Sequence, residues 1–498
     1  MKQTPTHIIL TREEYDQLIQ SGLEKDARLF EQEKVIIELQ TQVKELAAKM
    51  AELMARLSKN SQNSSKPPSS DGLSKPKKTK SSRESSGLKP GGQPGHNGYT
   101  LKFSETPAYI KNHFVTKCSR CGAMLESVQQ EQKEARQAFD ISPPPKVEVT
   151  EHRIFQIECS FCHYHNESSF PADINQHVQY GCYIRSWIAY MSQYQLIPVK
   201  RVKEVMKDLH GISLSSGTVQ NTIMYAAQRL RKPVEAIKNI LCTEDVVGFD
   251  ESGFRVNRKL KWLHVASTPK LVWYGIHAKR GQEAMNDHGI LPNFKGTAVH
   301  DGLESYKSFK NCFHSLCNSH HLRELTFVEE TSGQAWAKKM KALLKESNAE
   351  VREIKGDATS GSLCAERIAH YHARYLEILA NGDLQNPPAP KIPGKRGRTK
   401  QSYEVNLLGR LRQGMDEVLR FMTDFRVPFT NNEAERDIRM PKAKQKISGC
   451  MRSDEGAEAF CINRSYLATL KKQGYNLLDS LVAVFSSTPP EPYNSGCS

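Results

Sequence analysis

No run of about 18 apolar residues occurs anywhere in this 498-residue sequence, which argues against a helix that crosses a membrane. The opening segment, MKQTPTHIILTREEYDQ, lacks the basic-then-apolar layout of a secretory signal, so the expected location is the cytoplasm. Acid is also in short supply. Asp and Glu number 55 against 70 Lys and Arg, a formal net charge of +15, and a surplus of that size argues for an anionic partner, nucleic acid first. The 12 cysteines are too dilute for a disulfide scaffold in so long a chain, where thiols are expected to stay reduced, and their paired CxxC spacing points to metal instead. One hydrophobic core cannot serve this length. Three or four structural units of roughly 100 to 200 residues are expected.

Gly and Pro are absent from residues 29 to 57, where apolar residues follow a seven-residue repeat. Leu29, Ile36, Val43, Met50 and Leu57 hold one position, and Leu39, Leu46 and Leu53 the position three later. This is the seam of a parallel or antiparallel coiled coil and predicts self-association, with a lone amphipathic helix as the plainer alternative. Residues 60 to 101 then replace almost every apolar residue with Ser, Pro, Gly and Lys and read as a linker, either solvated or lying along phosphates through Lys75, Lys77, Lys78, Lys80, Arg83 and Lys89. Next come Cys118-Ser-Arg-Cys121 and Cys159-Ser-Phe-Cys162. Two such pairs, about 37 residues apart, can deliver four thiolates to one tetrahedral zinc ion, which is structural because no position is left for water. A redox dithiol would need only one pair.

Residues 178 to 232 read as helices. Gly211 breaks an apolar pattern carried by Val202, Val205, Met206 and Leu209, and Ser215 or Ser216 can cap a second helix that turns Val219, Ile223 and Ala227 inward. Helix, glycine turn and capped helix outline a helix-turn-helix, equally an ordinary helical hairpin. The first reading would present Ser216, Thr218, Gln220 and Asn221 to the major groove, with Arg201 and Lys203 in a basic cluster beside them.

Beyond Leu241 the period changes to strands, EDVVGFDESGFRV, KLKWLHVAST and LVWYGIHA, with turns at Asn257 to Lys259 and at Pro269-Lys270. Asp250 sits where the apolar run Val246 to Phe249 ends. After a helix-like stretch, TAVHDGLESY places Asp301 at the end of another apolar strand. A third acid can come from FTNNEAERDIRMPKAKQKISG, where Glu433, Glu435 and Asp437 are all candidates, Asn431 or Asn432 can cap the helix, and Arg436, Arg439 and Lys442 supply phosphate contacts. Two strands and a helix carrying three carboxylates could hold two Mg²⁺ about 4 Å apart, as in an RNase H-like nuclease or strand-transfer enzyme. Each acid taken singly is also compatible with a solvated strand end or helix. About 130 residues separate Asp301 from this helix, most of them helical in pattern, so an insertion interrupts the core. Within it residues 388 to 402 form a basic Pro/Gly-rich loop, a second candidate phosphate arm. Cys317 and His320 have ligand-like CxxH spacing but no second pair, which favours packing or support of an active site over zinc.

These motifs in this order resemble the insertion-sequence 66 family of transposases over nearly the whole chain. The resemblance is carried by the coiled coil leading into Asn63-Ser-Ser-Lys-Pro-Pro-Ser-Ser-Asp71, by Gly91-Gly-Gln-Pro-Gly-His96, by the two CxxC pairs, and by Asp250-Glu-Ser-Gly253, His300-Asp-Gly302, Cys317-x-x-His-His-Leu-Arg323 and Asn431-Asn-Glu-Ala-Glu-Arg436. It implies a DDE transposase that nicks the ends of its element and transfers the 3′ hydroxyls to target DNA, with Asp250, Asp301 and Glu435 as catalytic ligands of two Mg²⁺ or Mn²⁺ ions. It also selects Glu435 over Glu433. Ser252 stands where the family more often has Thr, and Leu303 where Trp is frequent; neither is a metal ligand. A non-catalytic zinc and helix-turn-helix DNA-binding protein is the alternative.

The expected organisation is multidomain: a coiled-coil segment over 1–59, linker 60–101, zinc module 102–177, helix-turn-helix domain 178–235, an α/β RNase H-like core over 236–328 and 426–485, a helical insertion over 329–425 and a tail from 486. The expected partners are double-stranded DNA (terminal repeats and target), a second copy joined through residues 29–57, and accessory proteins of the same element, with no membrane and with a place on the bacterial chromosome.

Overall fold

The computed structural model describes residues 11–58, 102–139, 147–356, 360–390 and 399–492, apart from Val128, Ala172, Asp173 and Asn175, with Gly397 as an isolated position. The expected basic linker, most of the cationic part of the 388–402 loop and the last six residues lie outside these.

The first helix, α1 (Arg12–Ser58), starts well before the heptad region. Thr11 begins it with a capping box: its hydroxyl accepts from the Glu14 amide at 3.3 Å, while the Glu14 carboxylate accepts from the Thr11 amide at 2.8 Å. The seam residues Leu29, Ile36, Leu39, Val43, Leu46, Met50, Leu53 and Leu57 are all exposed.

The described residues beyond α1 fall into two compact units, one covering Leu230–Asn476 and the other joining the segment up to Arg229 with Leu477–Pro490. In the second, each CxxC pair lies in a tight turn. The Cys118 amide donates to Ala123 and the Gly122 amide to Cys118. Likewise the Cys159 amide donates to Tyr164 and the His163 amide to Cys159, all at 2.9 Å. The second turn joins the short strands β1 (Gln156–Glu158) and β2 (His165–Glu167). Helix α2 (Cys182–Ala189) packs against the C-terminal helix Leu477–Ser486, where Tyr225 stacks on Phe485 at 5.9 Å. Helix α3 (Val199–His210) ends at Gly211 with φ +71, the left-handed cap that glycine adopts at least cost. Ser215, rather than Ser216, caps α4 (Ser216–Thr243) by accepting from the Thr218 amide at 2.9 Å. Val202, Met206, Val219, Ile223 and Ala227 are buried, whereas Leu209 stays exposed. Helix α4 continues through Pro233, longer than its periodicity suggested.

The other unit is built on a five-stranded mixed sheet of β3 (Val246–Val256), β4 (Lys259–Ser267), β5 (Val272–His277), β6 (Thr297–His300) and β7 (Phe313–Leu316), with α5 (Gln282–His288) between the third and fourth. Strand order is β5-β4-β3-β6-β7. β4 alone runs against the others, since β3 pairs antiparallel with β4 and parallel with β6. Asn257 and Arg258, both at positive φ, form the β3–β4 turn. Helices α6 (Asn318–Ser332), α7 (Ala335–Gly356), α8 (Ala365–Gln385), α9 (Tyr403–Gln413) and α10 (Met415–Thr423) share their own core around Trp336, Tyr371, Tyr375 and Phe421. Then α11 (Asn432–Ser448) and α12 (Asp454–Lys472) return to the sheet. The free edge of β5 is covered by α12: Ser465 and Thr469 hydroxyls accept from the Tyr274 and Val272 amides at 2.8 and 3.0 Å, which removes an exposed strand edge. The sheet and its flanking helices form the α/β core that the alternating pattern predicted.

Candidate active site

Side chains alternate across a strand, so Gly248 and Asp250 share one face of β3. That face carries α11. A Cβ built on Gly248 would lie 2.5 Å from Asn431 Oδ1 and 3.4 Å from the Ala434 Cβ. Asn431 precedes α11 but does not cap it through its side chain. Its Nδ2 instead donates to the Phe249 carbonyl at 2.7 Å, and its backbone amide donates to Cys317 Sγ at 3.2 Å. The helix is thereby pinned at its first turn to β3 and to the segment after β7. That first turn carries Glu435.

Asp301 reaches the same place by register. Gly248 pairs with Val299 in the parallel β3–β6 ladder, and two residues further along each chain stand Asp250 and Asp301. Strand β3 runs on to Val256, so Asp250 lies within the strand rather than at its end, whereas Asp301 follows β6 directly. Gly302 at φ +91 turns the chain there, and Asp301 Oδ1 accepts from the Leu303 amide at 3.0 Å. The consequence is electrostatic. Burial, together with the charges of Glu251, Asp301 and Glu435, pushes the Asp250 carboxyl well above the usual range. Carboxylates that crowd a buried carboxyl in this way form a donor set a divalent cation would relieve, and hard oxygen ligands of this kind suit Mg²⁺ or Mn²⁺.

The other acids of α11 are engaged elsewhere. Lys472 donates to Glu433 Oε1 at 3.1 Å and to Asp437 Oδ2 at 2.8 Å, tying both to α12. Of the cations expected beside them, Arg436 and Arg439 are exposed, at 3.6 Å from Glu433 and 3.4 Å from Glu435. Lys442 turns inward to donate to the Gly253 carbonyl.

Three residues that the sequence reading did not single out flank the triad on the opposite face of β3. Glu251 is buried; Arg280 Nε and Nη2 donate to its Oε1 at 3.0 and 2.8 Å, and the Tyr306 hydroxyl donates to its Oε2 at 2.7 Å. Arg280 also stands 3.9 Å from Asp301 Oδ2 and lies over the Trp262 ring. Burial and the Asp301 charge raise the Glu251 carboxyl, against Tyr306 and Arg280. His300 stacks on Tyr306 at 4.3 Å and is bonded to His314 at 3.0 Å; burial holds it neutral, down to about 3. No periodic signal marks Glu251, Arg280 and Tyr306, because they belong to three separate segments.

Cys317 and His320, at the start of α6, also come to the triad. Cys317 Sγ is 3.7 Å and His320 Nδ1 3.9 Å from Glu435 Oε1. Burial and Glu435 push the Cys317 thiol up to about 11, and burial lowers His320.

The remaining expected residues lie in the other unit. Arg201, Ser216, Gln220 and Asn221 are exposed along α3 and the start of α4, while Lys203 and Thr218 are half-buried. At Cys118 and Cys159, backbone amides of the turn and the second sulfur of each pair lower the thiol pKa, which favours the thiolate a metal needs. Among the described residues, however, three or more donors lie within 4.8 Å of one another only at Cys317, His320 and Glu435. The two CxxC pairs are formed, but their four sulfurs are not gathered.

Two family models match the chain. One, described as the IS66 family of transposases, covers residues 177–459, from before α2 into α12. The other, a family of unknown function termed DUF6444, covers residues 4–102 and takes in α1. No curated protein matches the sequence. Among the described residues no helix is long and apolar enough to cross a membrane.

Proposed function

The chain belongs to the IS66 family of transposases, and from that premise we propose that it nicks DNA at the ends of its element and joins the freed 3′ hydroxyls to target DNA through Asp250, Asp301 and Glu435. Membership makes it a DNA-binding, DNA-processing enzyme of a kind that uses divalent metal. The observation that carries the finer reading is the convergence of three carboxylates from β3, the end of β6 and the first turn of α11, with the Asp250 carboxyl raised by burial and by the others. The strand order, with only its second strand reversed, supports an RNase H-like core.

In this reading Asp250, Asp301 and Glu435 hold two Mg²⁺ or Mn²⁺. Such ions supply activation of the attacking oxygen and stabilisation of the leaving oxygen of a phosphodiester. The chain's own residues set the geometry. Asn431 fixes the turn that bears Glu435, Glu251 and Tyr306 hold Arg280 beside Asp301, and Arg439, exposed at the rim and paired with Glu435 at 3.4 Å, is the side chain that would turn to phosphate. In the other unit the exposed face of Arg201, Ser216, Gln220 and Asn221 reads the terminal repeats. Cys118, Cys121, Cys159 and Cys162 hold a structural zinc once the two turns close on it, and the exposed seam of α1 pairs with a second copy.

The test is cleavage of a labelled duplex bearing the element's own ends, with Mg²⁺ or Mn²⁺, by the intact chain and by Glu435→Gln. Metal-dependent nicking lost in the variant, with DNA binding retained, is the expected result. Equal nicking by both would remove Glu435 from the site, and binding without cutting by either would favour a DNA-binding protein that has lost activity or one that needs accessory proteins.

A further inference from the structure

Cys317 immediately precedes α6, His320 lies in the first turn of that helix, and Glu435 lies in the first turn of α11. Sulfur, imidazole nitrogen and carboxylate oxygen of these three all lie within 4.8 Å of one another. We propose that they form a binding site for one thiophilic divalent ion of the zinc class, distinct from the oxygen-bound ions of the carboxylate triad.

The Cys317 thiol donates to Glu435 Oε1 at 3.7 Å, a contact an ion would replace, whereas the nitrogen beside it has no hydrogen bond. His320 Nδ1 is 3.9 Å from Glu435 Oε1, beyond the reach of an N–H···O bond, and that nitrogen is sealed from solvent without any hydrogen-bond partner. Cys317 Sγ stands 3.7 Å from the same oxygen. Two atoms bound to one tetrahedral zinc at bond lengths of about 2.0 to 2.3 Å are separated by about 3.3 to 3.6 Å. The sulfur–oxygen separation reaches its edge with a closing of about 0.2 Å and the nitrogen–oxygen separation with about 0.6 Å, while the sulfur–nitrogen separation lies within 4.8 Å.

The donor set also chooses the metal. A thiolate and an imidazole select zinc or cobalt, whereas Mg²⁺ requires an octahedral shell of oxygens. The sulfur is already oriented, because the Asn431 backbone amide donates to it at 3.2 Å, the kind of outer contact that fixes a ligand for its ion. Three protein ligands leave one tetrahedral position open. Because Glu435 serves both sites, an ion held here would fix one carboxylate oxygen and couple its occupancy to strand cleavage. That coupling rests on the triad reading above; the site itself does not.

The experiment is a Co²⁺ titration of the full chain after removal of bound metal, followed by ligand-field absorption and by metal analysis of the desalted protein. The comparison includes Cys317→Ser, His320→Gln, Asp250→Asn and the double variant Cys118→Ser/Cys121→Ser. Cys317→Ser and His320→Gln should each bind about one equivalent less than the intact chain with unchanged circular dichroism, while Asp250→Asn and the CxxC double variant still bind this ion. Equal stoichiometry in the intact chain and in either Cys317→Ser or His320→Gln would overturn the proposal. So would loss of the same equivalent in Asp250→Asn, since the ion would then belong to the triad. If the intact chain fails to nick DNA yet loses the equivalent on Cys317→Ser, the site stands and the proposed strand chemistry falls.

Discussion

Replacing Gly248 with alanine should disable the active site without touching a catalytic residue. The added Cβ would lie 2.5 Å from Asn431 Oδ1, and ordinary contact begins near 3.4 Å, so the amide must retreat by about 0.9 Å in a core packed too tightly to absorb it. Asn431 cannot turn away at no cost, because its Nδ2 is bonded to the Phe249 carbonyl and its backbone to Cys317 Sγ. The Asn431 carbonyl accepts from the Glu435 amide at 3.1 Å, so the shift passes into the turn that carries the third carboxylate. A misplacement of about 1 Å at a reacting centre can cost roughly 100-fold in rate, and overpacking should cost about 1–3 kcal/mol of stability. The assay is single-turnover nicking of labelled end duplex, with DNA binding followed by mobility shift. Binding should be retained. In an Asn431→Ala background the clash is gone, and adding Gly248→Ala should then change the rate by less than about threefold, a non-additivity that isolates the contact. Nicking by Gly248→Ala within about threefold of the intact chain would refute the view that this contact positions α11.

Other substitutions test the electrostatics and the assembly. Asp250→Asn should stabilise the metal-free chain by about 1–2 kcal/mol, the usual exchange of function for stability at a strained site. The raised Asp250 pKa means that the folded state binds the proton more tightly, so this gain should be small at low pH and grow as pH rises through the folded-state pKa. Melting curves against pH without divalent metal test it, and a gain that shrinks on raising pH would contradict it. Arg280→Gln should cost about 1–3 kcal/mol by leaving the buried Glu251 carboxylate with Tyr306 alone. Glu251 is already raised by burial, so urea midpoints should recover as pH is lowered and Glu251 takes up its proton. With α1 pairing to a second copy as proposed, Leu39→Glu with Leu46→Glu should convert dimer to monomer in sedimentation, because both side chains lie on the seam and are exposed in the single chain; an unchanged sedimentation coefficient would contradict that pairing.

What the amino-acid order determines by itself is local. The cap at Gly211, the Asn257 to Lys259 turn, the paired CxxC turns and the seam of α1 each arise from contacts within a few residues, where backbone preference and hydrophobic period suffice. The apolar runs that lead to Asp250 and Asp301 were legible for the same reason. Three acids on one helix were not separable by spacing; in the tertiary structure Lys472 on α12 pairs with Glu433 and Asp437, and the charge of Glu435 acts on Asp250. Arg280 on Glu251, and Cys317 with His320 on Glu435, join segments distant in sequence and carry no periodic mark. Such pairings are decided only when the sheet sets β6 beside β3 and the helices after β7 return the chain to it, because burial and like charge act through space rather than along the chain.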